Sequence, residues 1–375
     1  MCGGRRVNTG AANVFLDVTI TCFNRDAHKT GMDLMRVGLM GLGRGGQQVA
    51  EALLASSWCE LVAVASSKSK RVDRFSEDHP EIAAYDDFRS LIVENVLDAL
   101  FVAVPTYVRE KYLHLAADRG LPVWMLPPAA RRFEEAVEIV QRFDDAQCPV
   151  VVSRSWGIEP TLQADVLGDD RVGRVFLARG DVMTCWSENL NWRGDSVRAV
   201  GGVLLDRAYG LIDTTVRVMG TPSTVYAATA GVSRPGCRFP YDTEDTGVVV
   251  CQYTGGPMAL FSACWTSGPT LSSLELNGMD GSLRIDAERV VLRDRAGRVE
   301  VSVQDRPANP LIPQIEDFLS GLQTRSRTLR GQLRDHLPTM AVLHAAYLSA
   351  RTGQPESPST IFEVHDIRDP SHTPS

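Results

Sequence analysis

Lysine is nearly missing from this chain. It stands only at positions 29, 68, 70 and 111, so almost all of the 39 basic residues are arginine. No lysine follows Lys111, and no histidine lies between His114 and His336. The middle of the chain therefore offers neither an amine nor an imidazole for moving protons. Positive charge is not in excess either: 46 acidic residues leave a net charge of −7, which argues against nucleic acid as a partner. No apolar run approaches the roughly 20 residues that span a bilayer, so no membrane role is expected. The cysteines show no metal-ligand spacing. They read as reduced thiols of a cytoplasmic protein, and no metal is expected.

What is present is enough apolar material for large cores. With 375 residues and 44% hydrophobic content, two domains are expected. Residues 1–34 mix Gly, Asn, Thr and isolated charges around a short apolar patch at Val14–Ile20. Asp17 interrupts that patch, so it does not make the apolar core of a signal peptide. This segment reads as a disordered extension, with Met32 or Met35 as the natural start.

From Met35 the sequence MRVGLMGLGRGGQQVA runs from an apolar strand through G-x-G-x-x-G (Gly41, Gly43, Gly46) into an amphipathic helix. Apolar strands are expected at 36–40, 61–65, 99–104, 123–126 and 150–153. Helices are expected at 47–56, 69–78, 87–93, 108–118 and 131–144. Such alternation implies a parallel sheet covered on both faces, over residues 35–154. A glycine fingerprint between strand and helix implies a dinucleotide site, with the helix N-terminus facing the pyrophosphate. Gly41, Leu42, Gly43, Arg44, Gly45 and Gly46 would form that cradle.

Strand two ends in Ser66-Ser67-Lys68-Ser69-Lys70-Arg71. An NAD site usually places Asp or Glu there, on the ribose 2′-hydroxyl. Hydroxyls and cations (Ser66, Ser67, Lys68, Arg71) suit a 2′-phosphate instead, so NADP(H) is favoured and NAD(H) remains open.

Residues 155–355 have a different pattern. A helix at 160–167, a strand at 174–183 and a helix at 203–219 after Gly201-Gly202 precede several β-rich segments: 223–230, 246–253, 258–265, 272–277, 282–286, 290–292 and 299–303. Helices at 313–322 and 333–351 follow. This reads as α+β, a large mainly antiparallel sheet with helices on one face, followed by a tail over 356–375.

The layout resembles the glucose–fructose oxidoreductase/inositol dehydrogenase/MocA family from Met35 to about Gln354. The resemblance rests on GLGRGG, Val104-Pro105-Thr106, GGVLLDRAYGLID (201–213), LELNGMDGSLRID (274–286), IEDFLSGL (315–322) and AAYLSARTGQP (345–355). It implies hydride transfer between a nicotinamide and a sugar, polyol or related carbonyl compound. It assigns Val104, Pro105 and Thr106 to the cofactor. It also implies a homodimer or homotetramer formed through the broad sheet.

Two positions depart from the family pattern. The family's E-K-P lysine position is Pro127, in Leu126-Pro127-Pro128, and the histidine of its D-x-x-x-H is Gly210, in Asp206-Arg207-Ala208-Tyr209-Gly210. On a regular helix Asp206, Tyr209, Gly210 and Asp213 share one face. Tyr209, with a lowered pKa, and Tyr107 are therefore the candidate proton donors, with Asp206 orienting them. Arg109 follows a parallel strand's carboxyl end and could fork onto an anion. Arg154, Trp156, Trp186, Asn189, Asn191, Trp192 and Arg193 suit stacking on a ring and hydrogen bonding around it, and Asp213 completes the substrate side. His336 is expected to be structural.

Three readings follow. One is an oxidoreductase with an altered proton relay, acting on a ring-containing carbonyl, imine or hydroxyl compound. The second is a non-redox enzyme (elimination, isomerisation or cyclisation) on the same scaffold. The third is an inactive NADP(H)-binding regulatory protein.

Overall fold

The computed structural model describes residues 34–154, 171–186, 189–231, 239–286, 288–303, 309–326 and 328–370. The extension expected before Leu34, the helix at 160–167 and Trp156 lie outside the described residues.

The first domain is a six-stranded parallel sheet in the order β3-β2-β1-β4-β5-β6. Its strands are β1 (Met35–Met40), β2 (Cys59–Ala65), β3 (Ala83–Tyr85), β4 (Ala99–Val102), β5 (Val123–Met125) and β6 (Val150–Val152). Apart from exposed Arg36 and Glu60, strands β1, β2, β4, β5 and β6 are apolar along their length, because helices cover both faces. Helices α1 (Arg44–Ala55), α2 (Ser69–Asp78), α3 (Phe88–Glu94), α4 (Thr106–Asp118) and α5 (Phe133–Asp145) alternate with the strands. The β3 strand, three residues long, was not expected: it is too short to show a period.

The second sheet has eight strands in the order β14-β13-β12-β11-β7-β10-β9-β8. They are β7 (Val175–Cys185), β8 (Thr224–Ala230), β9 (Thr246–Gln252), β10 (Met258–Cys264), β11 (Thr266–Gly278), β12 (Gly281–Asp286), β13 (Arg289–Asp294) and β14 (Val299–Val303). Only the β7–β10 pair is parallel. Period-two alternation divides its faces. Val182, Ala227, Val249, Phe261 and Leu274 are buried, whereas Tyr226, Val248, Met258 and Leu260 are exposed.

One helical turn, α6 (Ser196–Ala199), leads into α7 (Tyr209–Met219), and α8 (Ile312–Gln323), α9 (Leu337–Thr352) and α10 (Pro358–Val364) follow the sheet. Helix α8 returns to the first domain. Its Ile315, Phe318 and Leu319 pack with Leu39, Phe101 and Trp124, and Phe318 meets Phe101 edge-on at 5.9 Å. Helix α9 packs against β8, α5 and α7, so it ties the two sheets' layers together.

The tail expected from 356 contains folded structure. Ser357 stands at the N-cap and Pro358 in the first turn of α10, a favoured start for a helix. Ile361 and Phe362 are buried, and Phe362 meets Phe133 edge-on at 5.2 Å. Deleting that ring by Phe362→Ala is expected to cost about 3 kcal/mol, the usual scale for emptying an aromatic site. Urea unfolding followed by circular dichroism measures it. An unchanged midpoint would mean that this segment contributes nothing to the fold.

Candidate active site

The glycine loop has the shape of a dinucleotide cradle. Gly41 sits at φ +111°, and a Cβ there would meet Ala103 O at 2.7 Å. A Cβ on Gly46 would lie 1.9 Å from Gly41 O, so only glycine lets α1 start this close to β1. Around Gly43 there is room: a Cβ would approach only Arg71 Nη1, at 3.6 Å. No side chain caps the first turn of α1. Its N-terminus is therefore free for an anion, and Arg71 is positioned beside it. A cavity of about 510 Å³ adjoins it between α1 and α2, where Lys70, Arg71 and Arg74 share the lining with Glu51 and Asp78. Ser66 is buried, with its Oγ accepting from Lys68 N–H at 3.3 Å, and Ser67 and Lys68 are exposed. At the far end of the loop Leu126 closes over Gly45.

Past β4, Val104 packs beside Gly41, and Pro105 leads into α4. The Thr106 hydroxyl is buried and has no hydrogen-bond partner among the described residues. A buried unsatisfied hydroxyl costs free energy. Here it lies at the carboxyl end of a parallel strand, where ligands collect in such sheets. These residues fit a nicotinamide dinucleotide: a capless helix start, room at Gly43 and an orphaned hydroxyl farther along.

The opposite wall is built from the start of α7. Gly201 and Gly202 are required by contact. A Cβ on the first would meet Tyr347 Oη at 2.2 Å, and one on the second Glu244 O at 2.0 Å. Glu244 accepts from Gly202 N–H at 2.6 Å, Leu204 N–H at 3.1 Å and Tyr347 O–H at 2.8 Å. Burial pushes the Glu244 carboxyl upward, against those hydrogen bonds. Val200, just before, holds a positive φ of 68°, a strained setting for a β-branched residue.

Residues Leu204–Ala208 form a π-helical turn ahead of α7. Its extra residue per turn shifts the phase, so the face expected to join Asp206 to Tyr209 and Asp213 is divided in two. Asp206 turns to Arg193 (Nε–Oδ1 2.7 Å) and Arg207 (Nε–Oδ2 3.1 Å). Arg193 stacks 4.6 Å from the Trp192 ring and 5.6 Å from that of Trp186, and Arg207 lies 4.7 Å from Trp186. Trp192 reaches Tyr107 across the cleft at 6.0 Å, and Arg198 lies over Tyr107 at 5.6 Å. The like charge of Arg44, in the glycine loop, acts on Arg207, which places this wall near the loop. The expected aromatic and arginine set is thus brought together at Trp186, Trp192 and Arg193. Arg207 and Arg198 were missed. Asn189 and Asn191 bond to each other's backbone instead.

Several expected site residues are committed elsewhere. Arg109 is buried, and its two nitrogens donate to the carbonyls of Leu126 and Pro128. Burial pulls its guanidinium down to about 10. It holds the 126–128 segment and does not present a fork to an anion. Tyr209 is buried with its hydroxyl 2.9 Å from His336 Nδ1. Burial, and then the charge of Asp213, raise its phenol well above the usual range, the reverse of the lowered pKa expected. Asp213 is buried against His336 Nδ1 (2.9 Å), Arg217 Nε (2.8 Å) and Thr339 Oγ1 (2.9 Å). It holds α7 to α9 and does not line the cleft. Burial opposes its ionisation, but His336 and Arg217 outweigh that and hold the carboxyl well below the usual range. Arg217 Nη2 donates to His336 Nε2 at 3.0 Å, so this histidine is structural, as expected. Arg154 stands at the end of β6, its N–H on Gln314 Oε1.

Both domains have counterparts among known proteins. Residues 35–154 match the family described as "Oxidoreductase family, NAD-binding Rossmann fold", and 161–284 match "GFO/IDH/MocA C-terminal domain". The chain is 25% identical to D-xylose 1-dehydrogenase (NADP(+)) 2 of Haloferax volcanii, over 85% of this chain and 98% of that one. It is 24% identical to D-apiose dehydrogenase of Paraburkholderia graminis, over 88% and 91%. The crystal structure of the WlbA dehydrogenase from Bordetella pertussis, in complex with NADH and UDP-GlcNAcA, superposes with a TM-score of 0.73 at 22% identity, covering 87% of this chain and 99% of that one.

The Asp213 network predicts an acid-sensitive fold. Its carboxyl is lower in the folded chain than in the unfolded one. Its contribution is therefore complete above the unfolded value and is lost as pH falls below about 4. Asp213→Asn is expected to cost about 3 kcal/mol at neutral pH, the scale of breaking a buried ion pair. It should also flatten the loss of stability between about pH 5 and 3. Denaturant unfolding across that range checks both. An equally steep acid limb in the variant would assign the effect to other carboxylates.

Proposed function

The chain belongs to the GFO/IDH/MocA family of NAD(P)-binding oxidoreductases, and from that premise we propose that it moves hydride between NADP(H), in preference to NAD(H), and a small ring-containing hydroxyl, carbonyl or imine compound. The observation that carries this reading is the cleft itself. A dinucleotide cradle ending in an orphaned Thr106 hydroxyl faces a wall of Trp186, Trp192, Arg193 and Tyr107. Aromatic faces bind the apolar face of a ring, and guanidinium groups bind its oxygens. The preference for NADP(H) rests on Arg71 beside Gly43, and on serine where an NAD site has a carboxylate.

When bound, the nicotinamide supplies the hydride acceptor or donor. The protein must position the ring and handle the accompanying proton. Pro127 is half-buried without an ionisable group and Gly210 has no side chain, so neither can do this. We assign the task to Tyr107 and Asp206. Tyr107 is about one-third exposed at the start of α4, with its ring against Trp192. Asp206 is fixed between two guanidinium groups and orients what lies in front of it.

The same two vacated positions favour a second reading, a non-redox isomerisation or elimination on a retained cofactor. The two readings separate on whether nicotinamide absorbance changes during turnover.

The exposed face of the eight-stranded sheet fits a second copy of this chain, as a homodimer or homotetramer. Tyr226, Val248, Met258 and Leu260 are 46%, 40%, 45% and 38% exposed on neighbouring strands, an apolar patch that a lone soluble chain seldom shows. The double variant Tyr226→Glu/Leu260→Glu is expected to run as a monomer in light scattering, where the parent runs as a dimer or larger. A monomeric parent would refute this assembly.

The cofactor assignment is tested by titrating NADPH and NADH and following nicotinamide fluorescence. Arg71→Glu should weaken NADPH about tenfold, the scale of one charge-assisted contact, and change NADH little. Gly43→Val should remove both. No binding of either cofactor at millimolar concentration would defeat the oxidoreductase reading.

A further inference from the structure

Among the described residues, the wall formed by Trp186, Arg193, Asp206 and Arg207 has more cation, and more unused donors, than its own residues satisfy. Arg193 and Arg207 share the one carboxylate of Asp206. Arg193 is aligned to donate to it. Arg207 Nε is close to it, but is buried and makes no hydrogen bond. Burial lowers the Arg207 guanidinium, Asp206 supports it, and the like charges of Arg193 and Arg44 work against it. The indole N–H of Trp186, under both arginines, is also buried without an acceptor, as is that of Trp265, whose ring lies 6.3 Å from it. A guanidinium and an indole can only donate. Donor-only groups gathered at one wall, with two guanidinium groups on one carboxylate, fit an acceptor-rich anion better than a neutral hydroxyl. They match the two-oxygen edge of a carboxylate or a phosphate.

The residues of this wall differ from those of the cofactor cradle. The pyrophosphate position is the capless start of α1, and the 2′-phosphate side is at Arg71, next to Gly43. Arg207 lies over the Trp186 ring, and Arg193 links that ring to Trp192, which faces Tyr107. Arg109, the arginine expected to hold an anion, is engaged by backbone carbonyls. The charge for such a task comes instead from Arg207 and Arg193.

We infer that the ring compound bound in this cleft carries a negatively charged group, a carboxylate or a phosphate, seated on Arg207 and Arg193 against Trp186. This rests on the reading of the cleft as the substrate site. Asp206, besides its part with Tyr107, then orients the two arginines. A neutral sugar would leave those donors unmet.

The test compares matched probes on the full chain, with and without NADP(H): D-glucose, D-glucuronate and D-glucose 6-phosphate. Quenching of tryptophan fluorescence reports occupancy beside Trp186 and Trp192. Either charged probe should bind about tenfold or more tightly than glucose, the scale of a paired charged contact. The preference should disappear in strong salt. It should also be lost in Arg207→Gln, while that variant's NADPH affinity stays at the parent value. The better of the two charged probes identifies the group as carboxylate or phosphate. Equal response to all three sugars, or no response to any, overturns the inference. So does an Arg207→Gln variant that loses NADPH and keeps the charged probe, since Arg207 would then serve the cofactor. Failure of the parent to bind NADPH would defeat the oxidoreductase reading alone, because the probes are also compared without cofactor.

Discussion

The carboxylate of Glu244, buried at the start of the π turn, determines where the wall of the cleft begins. It accepts from two backbone N–H groups and from Tyr347, and its own carbonyl accepts from Val203 N–H at 3.0 Å. Two glycines are needed before it because a Cβ on either would collide with Glu244 or Tyr347. This anchor fixes the helix at its first residues. The π turn then supplies one extra residue, and that residue sorts the side chains. Asp206 and Arg207 go to the cleft, and Tyr209 and Asp213 go to the interior. A helix that was regular from its first turn would place Tyr209 and Asp213 on the face that now holds Asp206.

The interior half of this helix is as constrained as the cleft half. His336 receives Arg217 at Nε2 and meets Asp213 and Tyr209 at Nδ1. Removing one member would leave a buried charge or donor unmatched, which costs more than the bond itself contributed. A helix held at both ends can present Asp206 and Arg207 in one arrangement without their own packing having to provide it. That rigidity suits an electrostatic site, where donors aimed in advance need not reorganise when a ligand arrives.

Much of this was legible in the sequence where the physics is local. Helix α2 was expected at Ser69–Asp78 and has those bounds, and the glycine loop lies between strand and helix as its spacing requires. Trp186, Trp192 and Arg193 were expected as one set because their residue types suit a ring. Other features depend on distant partners. His336 meets Tyr209 over 127 positions, and nothing near either residue signals the pairing. A π turn leaves no compositional trace, so Asp206 and Tyr209 were placed on one face. Arg109 has the residue type and the position of an anion site. Its commitment to the Leu126 and Pro128 carbonyls depends on the path of a loop 17 and 19 residues further along.

That last arrangement bears on how such a scaffold can change. Arg109 secures the 126–128 loop through main-chain oxygens, which every residue type possesses. Neither contact involves the side chain at position 127. With proline at that position, both contacts of Arg109 are in place. The reaction at this site could be rewritten while the architecture that presents it stayed the same.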